Sequence, residues 1–324
     1  MRNPFRTDAA VATPTLALQQ SCSCAQHSRE PELALRRRRR LGLALLGAPL
    51  LATPAWGQDA ECQRSGFTNL APADQVEQAA GQQYRQMLSQ ASSQRALAPA
   101  EHPQSQRLRY IANRIIPYAN SCNGRARSWS WEVNLIGSNE LNAFCMPGGK
   151  IAFYYGILSK LQLSDDEVAI VMGHEISHAL LEHARERMGK SMATRGAIEL
   201  GAALFGLSNV GRSVAGMGEQ LLSLRFSRDD EAQADALGLV LAARAGYDPR
   251  AGVTLWQKML SGNRGAPPQW MSTHPSGENR IRDIEGRLPR VEPMYAQAAK
   301  PDRQFGPPVP RSQSTPQNNG QGNG

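Results

Sequence analysis

The sequence predicts a mainly helical α+β domain in which a small antiparallel sheet lies beside a central helix. Helical periodicity covers most of residues 75–260, one stretch over 128–155 alternates with a period of two, and a strongly capped helix follows it after Ser164. The 324 residues are 41% hydrophobic, which is ordinary for a globular protein. The chain is therefore long enough to bury a sizeable core.

The first 57 residues have the three parts of an export signal. An arginine run over 36–40 precedes an apolar stretch over 41–51, and the small-residue pattern Ala55-Trp56-Gly57 stands before Gln58. A membrane-spanning helix would need about 20 apolar residues, whereas the segment 41–56 is shorter and is interrupted by Pro49 and Pro54. We expect cleavage near Gly57 and a periplasmic mature chain, with the general and the twin-arginine export routes both open.

The basic charge belongs mostly to this leader. The formal net charge is +8, but residues 1–57 hold eight of the arginines and three of the acids, so +3 remains afterwards. Such a balance gives little support to nucleic-acid binding. We expect no nucleic-acid partner, whereas peripheral contact with a membrane stays open.

Three cysteines follow the leader: Cys62, Cys122 and Cys145. Disulfides persist in the compartment that an exported protein reaches. We favour a bridge between Cys62 and Cys122, because both lie in predicted loops that flank the first helical region, and this leaves Cys145 as a free thiol. The alternative, that all three are unpaired, stays open. Their spacings fit no cysteine-type zinc site.

The first half of the chain is predicted as two helices followed by the sheet. Amphipathic helices are expected over 75–92 and 104–118, and the alternation of Trp129, Trp131, Val133 and Leu135 predicts a first strand. Further strands are predicted over 141–146 and 150–155, with turns at 137–139 and 147–149.

The central helix is predicted to begin after Ser164 and to run to about Met188. Ser164 and Glu167 form a capping-box pattern, and acids fill the positive end of the helix dipole. His174 and His178 face away from an apolar side. That side consists of Val168, Met172, Ile176 and Ala179.

The second half is predicted to contain further helices and a disordered end. Residues 189–218 are rich in Gly, Ala and Ser and favour a packed helical hairpin slightly over a mobile flap. Helices follow over 219–246 and 253–260, and the chain becomes rich in Pro, Gln, Asn and Gly towards its end. We therefore divide it into a signal (1–57), one domain (58–290) and a disordered tail (291–324).

The sequence His174-Glu175-Ile176-Ser177-His178 carries the strongest chemical signal. Histidines four residues apart on a helix stand on one side, so both rings can reach one tetrahedral ion. Glu175 would then lie beside a metal-bound water as its general base. The pattern predicts one zinc ion per chain and hydrolysis of a carbonyl compound.

A catalytic zinc needs a third protein ligand. Glu231 is the candidate, with Asp235 one helical turn later to accept a hydrogen bond from the far nitrogen of a ligating histidine. The alternative for these acids is a solvated helix face. His183 would point to the back of a continuous helix, so we expect it to be structural, and Ala184 stands where the metzincin pattern needs histidine.

Several separated stretches make the chain resemble the HtpX-like and CAAX-prenyl-endopeptidase-like zinc metallopeptidases, which are gluzincins, and especially their soluble periplasmic bacterial branch. The resemblance covers roughly residues 75–290. Its stretches are Asn142-Ala143-Phe144 with Pro147-Gly148-Gly149, His174-Glu175-x-x-His178, Glu231-x-x-x-Asp235, and Thr273-His274-Pro275-Ser276 followed by Arg280-Ile281.

The resemblance implies a zincin-like domain that cleaves polypeptides, here misfolded or unassembled envelope proteins. By analogy, the segment 142–146 is an edge strand that holds extended substrate, although an interior strand is the alternative. His274 would be a fourth ligand that silences the metal or a donor to the oxyanion, and Arg280 would clamp Glu231 or the substrate carbonyl. A loop-capping histidine and a surface arginine are the plainer alternatives. A non-proteolytic chaperone or assembly factor on this fold is the second functional hypothesis.

Overall fold

The computed structural model describes residues 61–204, 224–261, 269–275 and 279–309. Within these ranges the chain is mostly helical with one three-stranded sheet, so the predicted fold class is confirmed. The predicted signal over 1–57, residues 205–218 of the predicted hairpin or flap and residues 219–223 of the helix predicted after it lie outside the described residues.

The elements, in chain order, are α1 (Ala73–Ser93), α2 (Pro103–Ala119), β1 (Glu132–Ile136), β2 (Ala143–Met146), β3 (Lys150–Tyr154), α3 (Tyr155–Lys160), α4 (Asp165–Leu180), α5 (His183–Leu204), α6 (Arg228–Arg244), α7 (Ala251–Ser261), α8 (Gln269–Thr273) and α9 (Arg280–Gln297).

The sheet is mixed rather than antiparallel, with strand order β1-β3-β2. The tight turn at 147–149 joins β2 and β3 as an antiparallel hairpin, and Gly148 and Gly149 supply its positive φ angles of 84° and 76°. β1 pairs with β3 in parallel. The prediction was wrong here because residues after β1 bond elsewhere: the Gly137 amide donates to the Ala96 carbonyl instead of closing a hairpin with β2.

Helix α4 is the centre of the domain, and its predicted start is confirmed. Ser164 and Glu167 form both hydrogen bonds of the capping box. Every residue from Glu167 to Leu180 is buried, because β2, α2, α6 and α7 pack around the helix. The helix ends at Leu180 and not near Met188, since the backbone turns at Glu182 with a φ of 60° before α5 begins.

Helix α6 begins at Arg228, nine residues after the predicted position. Ser227 and Asp230 form a capping box that fixes this start. The predicted end is confirmed, because Gly246 adopts a φ of 89° just past the last turn. Helix α6 then lies against α4, where it contributes its first turn to the metal centre described below.

The predicted disorder from residue 291 is wrong for residues 291–309. Helix α9 continues to Gln297 and buries Val291, and the amides of Phe305 and Gly306 donate to the Asp165 carboxylate at 2.8 and 3.2 Å. The prolines within α9 and the polar composition suggested disorder, whereas packing against the domain orders this segment. Residues 310–324 lie outside the described residues.

The predicted disulfide between Cys62 and Cys122 is confirmed, and Cys145 is a buried, unbridged thiol. Burial, reinforced by the charge of Glu175, raises the pKa of Cys145 well above its usual value. Among the residues that the structure describes, no helix combines the length and hydrophobicity needed to cross a bilayer.

Candidate metal centre

Two helices bring the three predicted metal ligands together. His174 and His178 stand one turn apart on α4, with their Nε2 atoms 3.1 Å from each other. The first turn of α6 carries Glu231, whose carboxylate oxygens lie 3.5 Å from Nε2 of His174 and 3.4 Å from Nε2 of His178. The alternative of a solvated acidic face does not apply to Glu231, which is buried.

The spacing of these atoms fits a tetrahedral ion. Ligand atoms about 2.0–2.1 Å from a central zinc are about 3.3 Å from one another in a tetrahedron. The two Nε2 atoms are 3.1 Å apart, Oε2 of Glu231 lies 3.5 Å from Nε2 of His174, and Oε1 of Glu231 lies 3.4 Å from Nε2 of His178, so each measured pair is near that value. Two imidazoles and one carboxylate are also a donor set that suits zinc. His174, His178 and Glu231 could therefore hold one metal ion.

Asp235 and Arg280 support the ligands from behind. The Asp235 carboxylate lies 2.9 Å from Nδ1 of His174, as the sequence predicts, and so favours the tautomer that presents Nε2 to a metal. Arg280 donates to Glu231 and to Asp235, both at 2.7 Å. Arg280 thus contacts Glu231, which is one of its two predicted partners, the other being the substrate carbonyl.

The charges of the centre hold its carboxylates ionised. Burial works to raise the pKa of Glu231, but nearby His274 and the hydrogen bonds of His178 and His274 lower this pKa far below its usual value. Burial likewise opposes ionisation of Asp235, but Arg280 and His174 together outweigh burial, so the pKa of Asp235 is lowered.

Glu175 lies beside the ligand cluster and outside it. Its carboxylate accepts a hydrogen bond of 2.6 Å from the indole nitrogen of Trp270. Burial raises the pKa of Glu175 to about 7, against the opposing effects of His174 and the Trp270 hydrogen bond. A carboxylate with a pKa near neutrality can both accept and return a proton.

His274 joins the ligand cluster as a fourth member. Its Nδ1 lies 3.0 Å from Glu231 and 3.3 Å from Nε2 of His174, and its Nε2 lies 3.6 Å from Glu175. The structure therefore brings His274 to the predicted place near the open metal position. Its role, as a fourth ligand or as an oxyanion donor, stays a prediction, as do the roles of the other site residues.

Two further residues shape the centre and were not among the predicted ones. Trp270 stacks on His274 with ring centroids 4.9 Å apart, and Phe226 stacks on His178 at 4.0 Å. Only the four-residue spacing of Trp270 and His274 could have indicated the first contact. Phe226 carries no comparable sequence signal.

The predicted direction of the His183 side chain is wrong, whereas its burial agrees with a structural and not a surface histidine. Its ring does not point to the back of α4 but lies with Nδ1 2.9 Å from Nδ1 of His178. The prediction assumed one continuous helix, and the turn at Glu182 breaks that helical phase. His183 is buried, so it is part of the surroundings of a metal ligand.

Strand β2 borders a cleft that leads to the centre. Residues 142–147 line one side, and Glu175, His178, Phe226 and His274 are among the residues that line the other parts. β2 pairs only with β3, so among the described residues its other edge has no strand partner. This places the segment 142–146 at an edge, as the resemblance implied, and not in the sheet interior.

A helix that bears two histidines and an adjacent acid, a carboxylate from a second helix and a neighbouring edge strand together define a gluzincin-type metallopeptidase domain. Comparison with known families agrees with this class. Residues 103–288 match the profile of peptidase family M48, and the chain belongs to that family.

Several curated relatives are similar to this chain. The mitochondrial metalloendopeptidase OMA1 of Schizosaccharomyces pombe is 32% identical over 64% of this chain and 60% of its own length. The corresponding protein of Arabidopsis thaliana is 36% identical over 51% of this chain and 33% of its own length. The beta-barrel assembly-enhancing protease of Escherichia coli is 28% identical over 60% of this chain and 41% of its own.

The chain thus spans at most 60% of the length of these three relatives. The comparisons support the M48 family as a whole. The relatives do not favour its HtpX-like members over the others, so that finer part of the resemblance stays a prediction.

Proposed function

We propose that this protein is a zinc-dependent metalloendopeptidase that hydrolyses misfolded or unassembled proteins of the cell envelope. One observation carries the proposal: Nε2 of His174, Nε2 of His178 and the Glu231 carboxylate lie within 3.1–3.5 Å of one another, with the buried Glu175 carboxylate beside them. Family membership and the metalloendopeptidase names of the relatives support the same chemistry.

Each residue of the centre has its own role in the proposed peptide hydrolysis. When bound, zinc supplies a polarised carbonyl and a water with a pKa of about 7. Glu175 accepts the proton of the attacking water and passes it to the leaving nitrogen, and the Trp270 hydrogen bond holds its carboxylate in place. His274 donates to the developing oxyanion. Arg280 balances the buried charges of Glu231 and Asp235.

The cleft supports an extended, unfolded substrate. A polypeptide added to the free edge of β2 would be held by main-chain hydrogen bonds, which read backbone more than side chains. Such recognition selects for segments that are not already folded. The name of the Escherichia coli relative, which refers to beta-barrel assembly, favours envelope proteins as the source.

A periplasmic location is part of the proposal and rests on the leader pattern that ends near Gly57. This location favours the soluble periplasmic branch as the part of the family to which the chain belongs.

The second candidate is a latent protease or a non-proteolytic assembly factor, and the position of His274 favours it. Nδ1 of His274 is as close to the ligand atoms as they are to one another. As a fourth ligand it would exclude the water that hydrolysis needs.

The first prediction concerns Glu175. In Glu175→Gln, zinc content stays near one ion per chain, while casein cleavage falls by about 10²–10⁴-fold because the general base is lost. Glu285→Gln, an exposed change on α9, is the matched control and keeps full activity. Cleavage retained by Glu175→Gln contradicts the mechanism.

His274→Ala separates the two candidates. An oxyanion donor predicts reduced cleavage, whereas a silencing ligand predicts increased cleavage in this variant. If wild type and His274→Ala both bind zinc and suppress aggregation but neither cleaves unfolded substrate, the assembly-factor hypothesis replaces the first one.

A further inference from the structure

Among the described histidines that are buried at the centre, His183 has no role in the proposed hydrolysis. It begins α5, directly after the turn that ends α4, and only 1% of it is exposed. Its Nδ1 lies 2.9 Å from Nδ1 of His178. This contact joins His183 to a metal ligand on the side away from the metal.

The chemistry of His178 decides which atom donates in this contact. His178 presents Nε2 to the other ligand atoms, so on metal binding its proton must reside on Nδ1. The Nδ1 of His183 must then accept that proton in a hydrogen bond. A neutral imidazole that accepts at Nδ1 carries its own proton on Nε2.

The surroundings of His183 favour this tautomer. Its Nε2 makes no hydrogen bond among the described residues, yet Glu186 and Asp230 bring carboxylates close to the ring. Since Nδ1 of His183 is held against His178, Nε2 is the nitrogen that can turn its proton towards these two negative charges. Both acids have fixed places, because Asp230 caps α6 and Glu186 pairs with Lys190.

We propose that His183 is a positioning residue: it accepts the Nδ1 proton of His178 and thereby fixes the tautomer and ring orientation in which His178 binds the metal. Asp235 holds His174 in the same way. The two ligands on α4 thus have separate orienting partners, a carboxylate for one and a histidine for the other. This inference rests on the proposed metal centre and adds a residue to it.

A second metal ion at His183, Glu186 and Asp230 is the competing explanation, because their ligand atoms lie within 4.8 Å of one another. Such an ion on Nε2 of His183 would require that atom to be free of its proton. The hydrogen bond accepted from His178 requires the proton to be there. Occupation of the first site therefore disfavours a second ion.

The test compares His183→Asn with His183→Leu in the full chain. The Asn side-chain oxygen falls near the place of the imidazole Nδ1 and can still accept from His178, whereas Leu cannot. We expect zinc affinity, measured by competition with a chromophoric chelator, to fall about 10–100-fold in His183→Leu. We expect His183→Asn to retain most of the affinity and the visible spectrum of the cobalt-substituted wild type.

Thermal unfolding of the metal-free variants checks that the fold is intact. If His183→Leu does not fold, His183→Gln replaces it, because its oxygen reaches the Nε2 position and not the Nδ1 position, and it should lose affinity as Leu does. Unchanged affinity in the variant without the acceptor overturns the inference. So does equal loss in His183→Asn, or a wild type that binds two ions of which the His183 variants lose one.

These results are distinguishable from a failure of the proposed function. A wild-type chain that binds no zinc overturns the metal centre itself, together with the inference that rests on it. A wild type that binds one zinc and cleaves casein, with His183 variants of equal affinity and equal cobalt spectra, overturns only the role of His183.

Discussion

At the residue scale, the metal centre is a compact set of buried charges that one arginine balances. Glu175, Glu231 and Asp235 are all largely removed from water. Arg280 contacts the last two, and its guanidinium lies 3.9 Å from the ring centroid of Trp256. A buried carboxylate without such a partner costs several kcal/mol. Arg280 therefore stabilises the ionised carboxylates of Glu231 and Asp235, while its predicted contact with the substrate carbonyl stays a prediction.

Cys145 provides a residue-scale prediction that depends on pH. Burial raises the pKa of its thiol, so the reactive thiolate is scarce in the native chain at pH 8 and becomes available on unfolding, where its pKa returns to about 8.5. In a chain that begins at residue 58, and so lacks Cys22 and Cys24, iodoacetamide without reductant should modify one thiol in denaturant and none in the native state, as measured by mass spectrometry. Rapid native labelling would contradict the described burial.

The residues of the centre were predictable where their chemistry is encoded in local spacing. His174, Glu175 and His178 lie on one helical turn, and Glu231 and Asp235 on another. The contacts of His183, Trp270 and Phe226 depend on how separate segments meet. Sequence spacing does not encode how separate segments pack, so His183 and Phe226 could not be placed, and only the spacing of Trp270 and His274 pointed to one of these contacts.

At the element scale, the centre depends on the close approach of α4 and α6. Gly173 on α4 and Gly238 on α6 face each other where the helices cross. A Cβ added at Gly173 would lie 2.7 Å from the Gly238 carbonyl oxygen, and one added at Gly238 would lie 2.8 Å from the His174 amide. The helices can bring their ligands to one ion only because neither position carries a side chain.

Gly238→Ala should therefore separate α4 from α6. Overpacking of this kind costs about 1–3 kcal/mol of unfolding free energy, and the shift of His174 relative to Glu231 should lower zinc affinity as well. Urea unfolding and chelator competition measure the two effects. Gly286→Ala on α9 is the matched control, because nothing lies within 4 Å of its added methyl group and zinc binding should not change.

Zinc affinity equal to that of wild type in Gly238→Ala would show that the crossing does not set the ligand geometry.

The capping boxes at Ser164 and Ser227 show what is predictable at this scale, since each fixes a helix start by local hydrogen bonds. The predicted start at residue 219 ignored the second box. The parallel pairing of β1 with β3 is a long-range contact and left no local pattern.

At the scale of the whole molecule, the disulfide joins the start of the described chain to the segment after α2, and that segment contacts the end of α4. Cys122 is followed by Asn123, whose amide donates to the Leu180 carbonyl at 2.9 Å. The bridge to Cys62 spans 60 residues and thus fixes the segment that holds the last turn of the metal-bearing helix.

Removal of this bridge by Cys62→Ser with Cys122→Ser should lower the unfolding free energy by about 4 kcal/mol, since the unfolded chain regains the entropy of a loop of that size. Urea unfolding of the oxidised chain and of the double variant measures the difference. Native zinc content should remain, because the ligands lie on α4 and α6. Equal unfolding midpoints would contradict a stabilising bridge.

Anomalous diffraction at the zinc absorption edge, on crystals of the zinc-loaded chain, tests the metal centre most directly. We predict one ion about 2.0–2.2 Å from Nε2 of His174, Nε2 of His178 and a carboxylate oxygen of Glu231. A difference peak at any other place in the chain, with none among these three side chains, would contradict the account.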